Sequence, residues 1–250
     1  MRLLLHSLVA ALAVTSALAS VPTPARAQEH AHAGMSMPTD SAPRADAHAS
    51  MSMGMGTSSH MRMTSPRVAT PADSAHARAV VNTLRQSIAK YADTSAAVAD
   101  GYRLFKPQLS FRPVYHFTSR QNARTNESGF DPARPTSLLY ERGPDGRLQL
   151  IGAMFTAPRD ASEDALNARV PLGIAPWHLH VNLCEAPPNA PQLRRQTRDG
   201  RMLFGPAGQI STKAECDAVG GEFRPVDFNW MAHVDIRHGD DLAATFSDHK

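Results

Sequence analysis

The chain has 250 residues, of which 42% are hydrophobic and 20% are charged, with a formal net charge of +3. This length allows one ordinary domain with appendages, and the hydrophobic fraction is sufficient for a buried core. The lysines and arginines are scattered rather than clustered, so the charge gives no reason to expect a nucleic-acid partner.

Residues 1–27 have the features of a secretory signal peptide. A basic residue, Arg2, precedes an apolar run over residues 3–19, and small-x-small patterns end at Ala19 and at Ala27. We favour cleavage after Ala27 over cleavage after Ala19. The apolar run is shorter than the ~20 residues that a membrane span requires. The sequence therefore predicts a periplasmic or secreted protein, with no stable membrane insertion after signal cleavage.

Residues 28–71 form a low-complexity segment of Ala, Ser, Met, His, Gly and Pro, without helical or strand periodicity. Such a segment buries too little apolar surface to offset the cost of ordering, which predicts a disordered tail. Seven of the eleven methionines lie in this tail, interleaved with histidines.

The composition of the tail indicates metal binding. Thioether sulfur is a soft ligand suited to Cu(I), and imidazole accepts Cu(II) or Zn(II). The candidate tail ligands are His30, His32, Met35, Met37, His48, Met51, Met53, Met55, His60, Met61 and Met63. In residues 51–55 (MSMGM) and 60–63 (HMRM) the segment resembles the Met/His-rich tails of periplasmic copper-resistance proteins. The alternative interpretation is a neutral linker.

Residues 72–238 are predicted to form an α+β domain, a mainly antiparallel β-sheet with short flanking helices, followed by a polar tail over residues 239–250. Apolar residues at three- and four-residue steps predict a helix from a cap at Asp73 or Ser74 to Tyr91. Shorter helices are predicted over residues 94–100, from a cap at Asp160 or Ser162 to Arg169, and from the capping-box residues 212–215 to the glycines at 220–221. The polar run over residues 119–127 is interpreted as a loop.

The strand signals begin with a possible strand over residues 114–117. The clearest hairpin joins Ser137–Arg142 to residues 147–156 through a Gly-Pro-Asp-Gly turn. Its proline and glycines supply the dihedral angles that a tight reversal needs. We expect these two strands at the centre of the sheet.

Two further strands carry the most informative pattern, over residues 177–184 (WHLHVNLC) and 228–236 (FNWMAHVDI). Because successive side chains of a strand point to opposite faces, His178 and His180 share one face of the first strand. Met231 and His233 share a face of the second strand, opposite an apolar face that includes Phe228. If the two strands are neighbours, three histidines converge.

The two cysteines of the chain, Cys184 and Cys216, are predicted to form a disulfide, because thiols in an oxidising compartment tend to pair. The alternative is a free Cys184 that acts as a metal thiolate. A disulfide would leave Cys184 structural and the histidines as the site residues.

The predicted metal site contains His178, His180 and His233, with His116 or Met231 as a fourth ligand. Opposed residues of neighbouring strands have β-carbons ~5 Å apart, so imidazole nitrogens can reach one ion at ~2.0–2.1 Å. The arrangement resembles the three-histidine zinc site of the carbonic anhydrases, whose other motifs are absent here. The expected cofactor is a transition metal ion, with copper favoured and zinc possible. The competing interpretation is two amphipathic strands with water-facing polar sides.

Six short motifs spread over residues 98–236 carry a wider likeness: 99–102 (ADGY), 115–117 (YHF), 135–140 (PTSLLY), 150–155 (LIGAMF), 177–180 (WHLH) and 230–233 (WMAH). In these motifs the chain resembles a family of uncharacterised secreted bacterial proteins. The resemblance implies a secreted domain and brings no established activity.

Three functions are consistent with these features. The first is a non-catalytic periplasmic metal-handling protein, in which the tail captures copper and the domain holds an ion. The second is a metalloenzyme with an open coordination position, in which Glu185 or Asp235 acts as the general base. The third is a metal-free interaction domain. The metal ion is the one partner that the sequence indicates; protein partners are not indicated.

Overall fold

The computed structural model describes residues 59–107 and 112–247. Within these ranges the chain forms an α+β domain built on a seven-stranded antiparallel sheet, which confirms the predicted fold class. The strands in spatial order are β1 (Met61–Met63), β6 (His178–Glu185), β9 (Glu222–Asp235), β5 (Leu148–Ala157), β4 (Ser137–Arg142), β3 (Tyr115–Thr118) and β2 (Arg103–Leu104). A separate ribbon pairs β7 (Thr197–Arg198) with β8 (Arg201–Met202).

Short helices surround the sheet. They are α1 (Pro71–Ile88), α2 (Thr94–Ala99), α3 (Arg120–Ser128), α4 (Glu163–Arg169), α5 (Lys213–Ala218) and α6 (Leu242–Thr245). Short 3-10 segments cover Ala89–Ala92, Pro191–Arg195 and Ile236–His238. In the described residues no helix has the length and apolar character needed to cross a membrane.

Helix α1 places its apolar stripe against one face of the sheet. The buried stripe consists of Ala77, Val80, Val81, Leu84 and Ile88, and it joins a core that includes the strand residues Tyr140, Phe155, Trp177 and Leu179. The helix begins earlier than predicted, since Thr70 rather than Asp73 or Ser74 is its cap. Thr70 and Asp73 form a capping box, and Pro71 follows the cap.

Two segments predicted to be irregular are helical, so those predictions are wrong. Residues 119–127 lie in α3, which Ser119 caps by accepting a hydrogen bond from the Asn122 amide. The buried Asn126 ties α3 to the sheet by donating to Thr136 Oγ1 at 3.0 Å. The predicted C-terminal tail contains α6 and the buried Phe246, which packs into the main core.

The tail boundary predicted at residue 71 also needs correction. Residues 61–63 form strand β1, which pairs with β6 at the edge of the sheet, and His60 is buried. The predicted signal peptide and the tail ligands from His30 to Met55 lie outside the described residues.

The predicted disulfide between Cys184 and Cys216 is confirmed, with α-carbons 5.5 Å apart. This bond excludes Cys184 as a free thiolate ligand. It joins the end of β6 to α5 inside a second small core that contains Leu203, Phe204 and Ile210. The disulfide thus holds the far end of the strand that carries His178 and His180.

Candidate metal centre

Strands β6 and β9 are antiparallel neighbours, which meets the condition under which the sequence predicts that three histidines converge. His178 on β6 stands directly opposite Met231 on β9, and His233 on β9 stands opposite Met154 on β5. Opposed residues share a face of the sheet. The face opposite the α1 side of the core therefore carries histidine and methionine side chains from three adjacent strands. We call it the histidine face.

An irregularity between His178 and His180 changes the faces that simple alternation predicts. His178 pairs with Met231, but His180 pairs with Asp227, so β9 contains two extra residues at this point. Phe228 lies in this bulge with a φ of 64°. Its ring packs 6.1 Å from the His180 ring and joins the cluster on the histidine face, so its predicted place on the main-core face is wrong.

Four imidazole rings lie next to one another on this face. The ring centroids of His116 and His233 are 5.9 Å apart, those of His233 and His178 are 5.1 Å apart, and those of His178 and His180 are 5.5 Å apart. His178 is 1% exposed, and the other three are half-buried. The structure thus brings all four predicted histidines together from β3, β6 and β9.

Taken in pairs, neighbouring rings have about the spacing of two imidazoles that bind one ion. Zinc binds imidazole nitrogen at ~2.0–2.1 Å, which puts the centroids of two rings on one tetrahedral ion roughly 5 Å apart. However, no three His, Cys, Asp or Glu side chains within residues 59–107 and 112–247 are arranged to hold one ion. An ion at this site would therefore use ligands of another kind beside the imidazoles, or would draw a third ring inward.

A cavity of about 550 Å³ opens beside the histidines. Apolar side chains form most of its wall: Phe105, Val114, Met154, Pro206, Phe228 and Met231. His116, His180 and His233 border the same cavity, and Lys106 lies at its edge over the rings of Phe105 and Phe228. This volume lies in the range of small-molecule sites.

Hydroxyl groups also line the cavity and hydrogen-bond to one another. Thr118 and Ser137 are joined by a 2.8 Å hydrogen bond between their hydroxyls, and Thr136 and Thr156 by one of 2.7 Å. These pairs lie on adjacent strands β3, β4 and β5, or next to them. The cavity lining therefore combines imidazole, apolar and hydroxyl groups.

The three described candidates from the predicted tail have different positions. Both ring nitrogens of His60 face carbonyl oxygens, with Nδ1 3.0 Å from Asn182 O and Nε2 2.8 Å from Gly208 O. His60 therefore holds the chain in place, and this geometry does not support its role as a ligand. Met61 and Met63 lie in β1 directly opposite His180 and His178.

The two candidate general bases, Asp235 and Glu185, both form ion pairs. Burial raises the pKa of the Asp235 carboxyl, but hydrogen bonds and charge from Arg237 outweigh burial and hold that pKa below its ordinary value. Glu185 lies 3.7 Å from Lys106 Nζ and borders a separate cavity of about 480 Å³. Both carboxylates thus pair with a cation, Asp235 with Arg237 and Glu185 with Lys106.

Sequence reasoning missed several residues of the site. Met154 has the pattern of a core strand residue, yet it stands opposite His233. Its signal was available in the alternation of the second hairpin strand, which puts Met154 and Thr156 on one face. Phe105 and Lys106 border the cavity from an irregular segment, where no periodic signal exists.

Comparison of the chain with protein-family models, with curated proteins and with solved structures finds no match.

Proposed function

We propose that this is a secreted or periplasmic metal-binding protein whose folded domain holds one transition metal ion, with copper favoured and zinc possible. His178, His180 and His233 are the principal ligands, with His116 or Met231 completing the site. The observation that carries the proposal is the run of four adjacent imidazoles, with centroids 5.1–5.9 Å apart, beside a cavity. The tail and signal-peptide features of the sequence support metal capture outside the cytoplasm.

Burial of the histidines supports a binding role over a water-facing strand surface. A strand face that merely meets solvent has no reason to bury an imidazole, whereas His178 is 1% exposed. The imidazoles also come from strands that are far apart in the chain, so their meeting depends on the whole sheet.

The test must separate the domain from the Met/His-rich tail. We define the tail-silent chain as the full chain in which each Met or His ligand candidate before Ser59 is replaced, Met by Leu and His by Gln. Zn(II) and Cu(II) are each titrated into this chain. We expect about one equivalent to bind, and free metal at a hundred times Kd to raise the free energy of unfolding by about 2.7 kcal/mol.

The ligand variants are His180→Gln and His233→Gln, because these side chains are half-buried and tolerate a polar amide better than His178 does. Each should weaken binding by at least about tenfold, the loss that follows even removal of an outer-shell partner. His76→Gln is the matched control, since His76 is exposed on α1. Absence of any bound metal in the folded tail-silent chain would overturn the proposal.

The cavity favours a second candidate function, a metalloenzyme with an open coordination position. Its size and its apolar wall suit a small organic molecule, and His116, His180 and His233 border it directly. Azide is a suitable probe, because it binds an open position on Cu(II) and changes the Cu(II) spectrum. An unchanged spectrum at saturating azide would show that the bound Cu(II) has no open coordination position, and it would favour metal binding without catalysis.

A further inference from the structure

We propose that the ion held by this site is Cu(I), and that β1 supplies two of its ligand groups, the thioethers of Met63 and Met61. This inference rests on the proposed metal-binding function. It specifies the class of ion, and it places Met61 and Met63 beside two of the imidazoles, in a four-ligand set that needs neither a third imidazole nor Met231. It assigns to the edge strand a role in the site itself.

Hydrogen bonds hold strand β1 against β6 at both of its ends. The Val181 amide donates to His60 O at 3.0 Å, and the Thr64 amide donates to Trp177 O at 2.9 Å. The Trp177 amide in turn donates to Thr64 Oγ1 at 3.1 Å. The ring of His60 locks the start of the strand through the carbonyl oxygens described above.

The register of β1 aims its methionines at the histidine face. Met63 is the direct partner of His178, Met61 is the direct partner of His180, and Arg62 between them pairs with Leu179. The Arg62 guanidinium lies 5.1 Å from the centre of the Trp230 ring, which belongs to the main core on the other face. Since neighbouring strand residues alternate, the two thioethers lie on the side of His178 and His180.

His178 therefore stands between two methionines across the sheet. Met63 flanks it on β1, and Met231 flanks it on β9. Two residues further along β9, His233 is paired with Met154 on β5. β-Carbons of directly opposed residues lie ~5 Å apart, a distance that a flexible thioether and an imidazole can bridge through one ion.

Mixed thioether and imidazole ligands select among metals. Thioether sulfur is a soft ligand that favours Cu(I), while Zn(II) prefers imidazole, thiolate and carboxylate. The described histidines, cysteines and acidic residues provide no group of three ligands for one ion, so thioethers are the available complement to the imidazoles. The pairing of Met-x-Met with His-x-His supplies that complement.

The experiment compares Cu(I) and Zn(II) binding in the tail-silent chain and in its Met61→Leu/Met63→Leu variant. Cu(I) affinity is measured under reducing, oxygen-free conditions by competition with a chromophoric Cu(I) chelator. Leucine keeps the apolar strand but removes the sulfur. We expect the variant to lose at least about tenfold in Cu(I) affinity and less than about threefold in Zn(II) affinity.

Met202→Leu is the matched control, because Met202 is exposed and lies on β8, away from the histidine face. If the double variant does not fold, X-ray absorption on the Cu(I)-loaded tail-silent chain that also carries Met231→Leu provides the reading, and sulfur neighbours of copper are expected. Metal binding through the histidines with unchanged Cu(I) affinity in the folded double variant, or a copper shell without sulfur, overturns this inference and leaves the proposed function standing. Failure of every metal to bind overturns both.

Discussion

At the scale of single residues, His60 shows how a histidine from a Met/His-rich stretch serves the fold. Its side chain is 2% exposed, and its ring nitrogens lie 3.0 and 2.8 Å from two carbonyl oxygens on different segments. The same stretch supplies Met61 and Met63 to the edge of the sheet. One imidazole thus fixes the position of the two thioethers that follow it.

His60→Gln should lower the free energy of unfolding by about 1–3 kcal/mol, because buried carbonyl groups lose their hydrogen-bond partner. Urea unfolding measures this loss, and limited proteolysis should show faster cleavage near β1. His76→Gln, on the exposed side of α1, serves as the control. Equal stability and equal proteolysis of the two variants would contradict the anchoring role.

At the scale of elements, two buried tyrosines connect the sheet to the helical layer. Tyr140 on β4 donates its hydroxyl hydrogen to Tyr91 O at 2.7 Å, and Tyr102 donates to Pro135 O at 3.1 Å. Burial raises the pKa of both phenols above the ordinary value. The folded state therefore favours neutral phenols, and its stability falls as the pH rises above about 10, where the unfolded chain begins to ionise.

Tyr140→Phe should cost about 1–2 kcal/mol at neutral pH, because the Tyr91 carbonyl loses its buried donor. The same substitution removes one ionising phenol, so stability should fall less steeply with pH in the variant than in the wild-type chain. Urea unfolding at pH 7 and at pH 10.5 gives both quantities. An equal loss of the free energy of unfolding in the two proteins between pH 7 and pH 10.5 would contradict a raised pKa of Tyr140.

At the scale of the whole molecule, the strand that carries His178 and His180 is anchored at both ends, and the imidazoles come from distant strands. Strand β6 is tied at its start by Thr64 and at its end by the Cys184–Cys216 disulfide, across a sequence separation of 32 residues. His116 comes from β3, which lies four strands away from β6 in the sheet order. The imidazole cluster therefore requires the complete sheet rather than one hairpin.

The Cys184→Ser/Cys216→Ser variant should have a free energy of unfolding about 3–4 kcal/mol lower than the wild-type chain, as the loop-entropy relation predicts for a loop of this size. Because the disulfide lies in the second core and the histidines do not, metal affinity of the folded variant should change little. Denaturant unfolding and metal titration test the two statements separately. Strong loss of metal affinity without unfolding would show that the disulfide shapes the site.

Strongly periodic segments were predictable from sequence, and irregular ones were not. The apolar stripe of α1 and the hairpin turn before β5 are local signals, since they depend on spacing and on dihedral preferences. Helix α3 has no such stripe; Ser119 and Asn126 hold it through hydrogen bonds, one of them to Thr136 directly before β4. Phe228 changed faces because a bulge in β9 interrupts alternation, and a bulge has no reliable local signature.

The sequence left open whether the His-x-His strand and the strand of His233 are neighbours. By itself, it determined the α+β class and the disulfide pair. Each of these follows from residue types and short-range periodicity. Only the tertiary structure decided that His116 joins the cluster, that a cavity lies beside it and that Met61 and Met63 flank His180 and His178. Those contacts join segments far apart in the chain, and their register is set by the packing of the whole sheet.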